Sequence, residues 1–150
     1  MHVDWSYWEG TCMRRELDVF LSEVYGLAQG PSAELPTSLG KIDLHNCADF
    51  DGFRFLTSGS LMLTWLSDET RMLAVGATRL SRVELTFSSV ERLLVLARDP
   101  DMPKSEDKTL DSFVVEHLSP GSCRLRFTFW GGAEIDVAAA GVRLTVEYDA

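Results

Sequence analysis

The most constraining feature of the chain is the alternation that runs through its last thirty residues. Cys123, Leu125, Phe127 and Phe129 alternate with Arg124, Arg126 and Thr128. Side chains point to opposite faces of a strand with a period of two, so this run has one apolar and one polar face. Gly131-Gly132 follows, and two glycines between apolar runs mark a tight hairpin turn. Ile135 and Val137 resume the pattern, and Val142, Leu144, Val146 and Tyr148 carry it to the end. A chain written this way must build an antiparallel sheet with one face buried.

The same period recurs upstream. Val83, Leu85 and Phe87 alternate with Arg82, Glu84 and Thr86; Leu61, Leu63 and Trp65 share a face; Phe113, Val115 and His117 line another strand. Ile42 and Leu44, then Phe53 and Phe55, begin further extended pieces, and Asp49 to Gly52 reads as a turn by composition. Val90 to Ala97 is short and ends at Asp99-Pro100, which favours a strand over a helix. Leu61-Met62-Leu63 and Leu93 to Ala97 are apolar on both sides, so these strands are either sandwiched between layers or part of an interface.

One segment breaks the period. Leu17, Phe20, Leu21 and Val24 fall at helical spacing, which predicts an amphipathic helix over about 12–25 with Thr11 as N-cap and Gly26 and Gly30-Pro31 as stops. The expected fold is mainly β: an antiparallel sandwich or curved sheet of about eight strands, with one N-terminal amphipathic α-helix. Residues 1–150 read as one β-rich domain, since no linker or repeat divides them.

Charge and composition narrow the partners. With 14 Lys and Arg against 23 Asp and Glu, the net charge is −9. Such a surface repels phosphate backbones and anionic headgroups, so neither nucleic acid nor a membrane is the expected partner. It attracts a basic protein, although solubility alone also accounts for it. Cys12, Cys47 and Cys123 are odd in number and form no CxxC pair, which points to a reducing compartment. The first residues lack a basic stretch followed by an apolar run, and the uncharged stretch from Leu56 to Ser67 falls short of the ~18 apolar residues of a membrane helix. The expected location is cytoplasmic.

Few constellations could carry chemistry. His45, Cys47 and Asp49 would share one side of a strand and are all zinc-ligand types, with His117 or Cys123 able to complete a set. The plainer reading makes Cys47 a small buried hydrophobe. Cys47 or Cys123 as nucleophile, with His45 or His117 as base, has the right residue types but no nucleophile elbow. Asp49 and Asp51, or Asp99, Asp101, Ser105, Glu106 and Asp107, offer oxygens to calcium, but Lys104 and Lys108 sit inside the second group and solvated loop is the better reading. Glycine patterns for nucleotides are absent. No catalytic, cofactor-binding or metal residue is therefore assigned, and no cofactor is expected. Trp5, Tyr7 and Trp8 form an aromatic arm, of a kind that docks on its own domain or on a partner.

The stretches VELTFSSVERLLV (Val83 to Val95) and CRLRFTFWGGAEIDVAAAGVRLTVEY (Cys123 to Tyr148), with a helix ending near Tyr25-Gly26 and a Pro-containing loop after it, resemble small bacterial β-rich proteins of unassigned function. Some of these are grouped with the immunity proteins that neutralise polymorphic toxins. The resemblance implies a binding protein without chemistry of its own, whose partner is another protein, and it carries no site residues. The function expected is a non-enzymatic interaction or accessory module. The alternatives are a ligand-binding or hydrolytic β-domain with a pocket between sheet and helix, or a structural homodimer.

Overall fold

The computed structural model describes residues 12–25, 32–68 and 70–149. They form twelve strands: β1 (Cys12–Leu17), β2 (Glu34–Thr37), β3 (Gly40–Asp43), β4 (Ala48–Phe55), β5 (Leu61–Ser67), β6 (Ala74–Val75), β7 (Thr78–Ser88), β8 (Arg92–Leu96), β9 (Leu110–Ser119), β10 (Ser122–Phe129), β11 (Glu134–Ala139) and β12 (Gly141–Asp149). One sheet runs β1-β12-β7-β5-β4, with β6 beside β7; a second runs β8-β11-β10-β9; β2 and β3 form a separate ribbon. Every pairing between these strands is antiparallel.

The two sheets meet through aromatic side chains on their inner faces. The Phe127 ring on β10 lies 6.0 Å from Trp65 on β5 and 6.3 Å from Phe87 on β7, and Phe129 lies 4.6 Å from Phe50 on β4. The alternation read in the sequence is what brings them there: Cys123, Leu125, Phe127 and Phe129 are buried, as are Val83, Leu85 and Phe87. Burying such side chains contributes about 1.5–3 kcal/mol each, so this shared core dominates the favourable side of folding.

The sheets are also joined through the backbone. β7 pairs with β12 up to Ser88↔Gly141, and β8 pairs with β11 from Arg92↔Ala138. Between these points the chain spans residues 89, 90 and 91 on one side and only 139 and 140 on the other. Ala140 N–H donates to the Ser88 carbonyl, and Glu91 N–H to the Ala138 carbonyl. Thus one strand pair bends from the first sheet into the second with an extra residue on the β7–β8 side, where Ser89 sits at φ 50°.

The expected N-terminal helix is not formed. Residues 12–17 are β1 instead, paired with β12, and only a 3₁₀ turn at Leu21–Glu23 remains of the helical pattern. Leu17 and Leu21 are buried, so the i, i+4 spacing is satisfied by a strand end and a turn, while Phe20 is 41% exposed. The competing demand is tertiary. β1 covers the edge of β12, and Arg14 reaches Glu147 at 3.2 Å and the buried Glu84 at 3.1 Å. Thr11, Gly26 and Gly30-Pro31, offered as helix boundaries, and the aromatic arm lie outside the described residues.

Two further corrections concern short elements. The Pro-containing loop expected after the helix holds β2, which pairs with β3 around a turn where the Thr37 hydroxyl donates to the Gly40 carbonyl at 2.6 Å. Asp49 to Gly52 is not a turn but part of β4, with a bulge between Phe50 and Gly52.

The ribbon closes one flank of the sandwich. Leu35 and Ile42 are fully buried, Val19 bridges to Thr37, and Ser32 bridges to Phe113 on β9. It therefore spans the gap between the β1 and β9 edges.

On the outer face of the second sheet, Arg124 holds Asp136 with two hydrogen bonds, 3.1 Å from Nε and 2.8 Å from the terminal nitrogen. That contact holds the Asp136 carboxyl below the usual carboxylate range. A pKa below the unfolded value near 3.9 gives stability that is complete above that pH and is lost as pH falls through the lowered value. Asp136→Asn is therefore expected to lower the urea midpoint at pH 7. The gap from wild type should narrow as pH drops below about 4, which denaturation at several pH values measures.

Candidate functional site

Among the described residues the histidines and cysteines do not converge. His45 lies in the turn after β3, where Asp43 Oδ1 accepts hydrogen bonds from the backbone N–H groups of His45 and Asn46. The His45 Nδ1 lies 2.6 Å from the Leu110 carbonyl, which can only accept, so Nδ1 carries the proton. Its ring meets Trp130 edge-on at 4.9 Å, and the Trp130 indole N–H donates to Asp111 at 3.0 Å. His117 stands seven residues from Leu110 along β9, about 23 Å away at strand rise. It is exposed, with Nε2 3.0 Å from the Ser119 hydroxyl.

Neither thiol is set up as a nucleophile. Cys123 is buried on the inner face opposite Leu118, and burial pushes its pKa up. Cys47 is half-buried, and its thiol is raised by desolvation and then by the nearby Asp43 carboxylate. A thiol so placed has less thiolate than a free one, the reverse of what activation requires.

Three of the candidate calcium ligands, Asp49, Asp99 and Asp107, are engaged within the protein. Asp49 is ion-paired with Arg71, which also binds Asp68 at 3.2 Å. In the loop after β8, both Asp107 oxygens accept from Arg98 Nε at 2.9 Å, and Arg98 reaches the Met102 carbonyl at 2.6 Å. Asp99 Oδ1 accepts from the Asp101 N–H. Among the described residues no group of three His, Cys, Asp or Glu is placed to hold a metal ion. This loop serves the β10–β11 turn instead: Asp99 N–H donates to the Gly131 carbonyl at 2.7 Å.

A cleft of about 310 Å³ lies beside the bent strand pair, walled by Val19, Phe20, Leu21, Cys123, Ala140 and Val142 among others. Apart from Cys123, no acid or base lines it. Ser22, Ser119 and Ser122 make its wall part polar, but it holds no base for proton transfer.

The most unusual surface lies along the β4 and β8 edges. Phe53 and Phe55 on β4 pair with the buried Leu63 and Leu61, so they belong to the inner face, yet they are 44% and 51% exposed. Val95 on β8 pairs with the buried Ile135 and is 44% exposed. Among the described residues, the inner face is thus left half exposed along both edge strands. On the outer side of β8, Leu94 and Leu96 are 41% and 45% exposed. β8 starts near the β4–β5 turn, where Val90 N–H donates to the Gly59 carbonyl, and its loop returns to β4 through the 3₁₀ turn at Lys104–Lys108. Both edges therefore border one opening.

Sequence reasoning marked Leu93 to Ala97 as two-faced, which is the signal of this edge. It gave no hint of Phe53, Phe55 or Trp130, whose exposure depends on which strands end the sheets. Among the described residues no helix is long and apolar enough to cross a membrane. No family model matches the chain, and neither the curated proteins nor the solved structures contain a match to it.

Proposed function

We propose that the chain is a non-enzymatic protein-interaction module that receives an extended segment of a partner along the β8 edge. The observation that carries this reading is the open flank: an edge strand, paired only with β11 among the described residues and apolar on both faces, beside the exposed Phe53 and Phe55. An edge strand presents unpaired backbone N–H and C=O groups, and natural monomers blunt such edges with charge or proline. Leu93-Leu94-Val95-Leu96-Ala97 contains neither. Strand addition would draw affinity from main-chain hydrogen bonds and specificity from alternate side chains. The net charge of −9 favours a basic partner, in keeping with an immunity-type role. The hydrolytic alternative has less support, because the cleft beside the bent strand pair is lined by no base.

Selection of displayed random peptides on the protein should return sequences in which apolar residues alternate with Lys or Arg. A Leu94→Lys, Leu96→Lys variant should bind them at least about tenfold more weakly, with its urea midpoint little changed because both sites are exposed. Selection without a consensus, or binding indifferent to the two lysines, would sink the reading. Sedimentation velocity run alongside shows whether a second copy is the occupant: a dimer dissolved by the same variant would identify it.

A further inference from the structure

The two strands that border the opening each send a row of apolar side chains toward it. On β4 the row is Phe53 and Phe55. On β8 it is Leu93 and Val95, which pair with the buried Val137 and Ile135 and so share their face. The spacing in both rows is two residues, about 6.6 Å at strand rise. Any extended segment presents side chains to one side at that same repeat. No charge interrupts either row: Arg54 and Leu94, the residues between, point to the opposite faces.

The two rings differ from their neighbour on the same strand. Phe50 is held by Trp65 at 5.1 Å and by Phe129 at 4.6 Å. Among the described residues no aromatic ring meets Phe53 or Phe55 in that way. Yet their strand partners Leu63 and Leu61 are fully buried, so the exposed rings continue the apolar surface of the core. Exposed aromatic surface of this kind is what interfaces use as anchors.

We infer, on the reading that an extended partner segment adds to β8, that Phe53 and Phe55 are the specificity-determining residues of that site. A segment along the free edge of β8 continues the second sheet. Its alternate side chains then point to the inner face with Leu93 and Val95, toward the rings on β4. Two of its residues, at positions i and i+2, meet Phe53 and Phe55. A lysine over a phenylalanine face gains less than a large apolar side chain that takes both groups out of water. Alanine would leave the rings wet. The site therefore selects large apolar side chains, aromatic or branched, at i and i+2. The basic residues that the net charge favours fall on the outward positions between them.

The test is fluorescence anisotropy of the whole chain with two fluorescein-labelled peptides, Gly-Lys-Phe-Lys-Phe-Lys-Gly and Gly-Lys-Ala-Lys-Ala-Lys-Gly. They share length and charge, so only the alternate side chains differ. The wild type should bind the phenylalanine peptide at least about tenfold more tightly. Phe53→Ala combined with Phe55→Ala should bring the two peptides within about twofold of each other. Should that double variant fail to fold, Phe55→Ala alone, at the more exposed ring, should cut the preference at least about threefold. Tight binding of the phenylalanine peptide that is lost in the Leu94→Lys, Leu96→Lys variant but unchanged in the β4 variants would overturn the assignment and leave strand addition on β8 standing. Equal affinity of the wild type for both peptides would do the same. Binding of neither peptide by the wild type would remove strand addition itself, and the role of the two rings with it.

Discussion

Replacing Gly132 by alanine is expected to destabilise the protein by about 3 kcal/mol, the sum of a backbone and a packing penalty. Gly132 has φ +88°, a conformation that costs a residue with a Cβ about 1–2 kcal/mol. Its Cβ would also stand 2.8 Å from Asp99 Cβ and 3.0 Å from Asp99 N. Neither atom can yield, because the Asp99 N–H is tied to the Gly131 carbonyl and Arg98 anchors the loop through Asp107. Gly121→Ala is the matched control. Gly121 also has positive φ, at +75°, but a Cβ there meets nothing within 4 Å. It should cost only the backbone part, about 1–2 kcal/mol. Urea unfolding followed by tryptophan fluorescence measures both. Equal losses in the two variants would show that the loop gives way and that its docking is loose.

Phe127→Ala is expected to cost about 4 kcal/mol and Phe127→Leu about 1–2 kcal/mol. Phe127 is fully buried, and its ring lies 5.9 Å from Phe113 as well as near Trp65 and Phe87. It is the side chain on which both sheets lean. Truncation leaves a cavity bounded by aromatic rings on different strands, which cannot all move inward together. The leucine variant keeps the protein measurable if the alanine variant fails to fold. A loss below about 1 kcal/mol for Phe127→Ala would contradict the packing described, as core truncations of this size rarely cost so little.

The β architecture was legible because its signal is local. Alternation over Val83–Phe87 and Cys123–Phe129, and the glycine pair between two apolar runs, each report on a few neighbouring residues. The helix reading failed where one pattern had two solutions: Leu17 and Leu21 can be buried by a helix, or by a strand end and a turn. The open edge of β12 and the carboxylate of Glu84 decided between them, and both lie far along the chain. The bulge in β4 was hidden for a similar reason, since Asp49 is held by Arg71 from 22 positions away. Candidate sites fared according to the same rule. Only the tertiary fold could set His45 against one end of β9, at Leu110, while His117 stands near the other.

Because β8 is β7 continued past Ser89, the exposed edge is not a detachable flap. Whatever grips it is tethered, through one unbroken backbone, to the strand between β12 and β5. Load applied there passes into the middle of the first sheet, and the two layers cannot slide past each other without tearing the ladder they share. Occupancy of the rim would therefore be felt as resistance to unfolding by the whole molecule, the behaviour of a rivet more than of a lid.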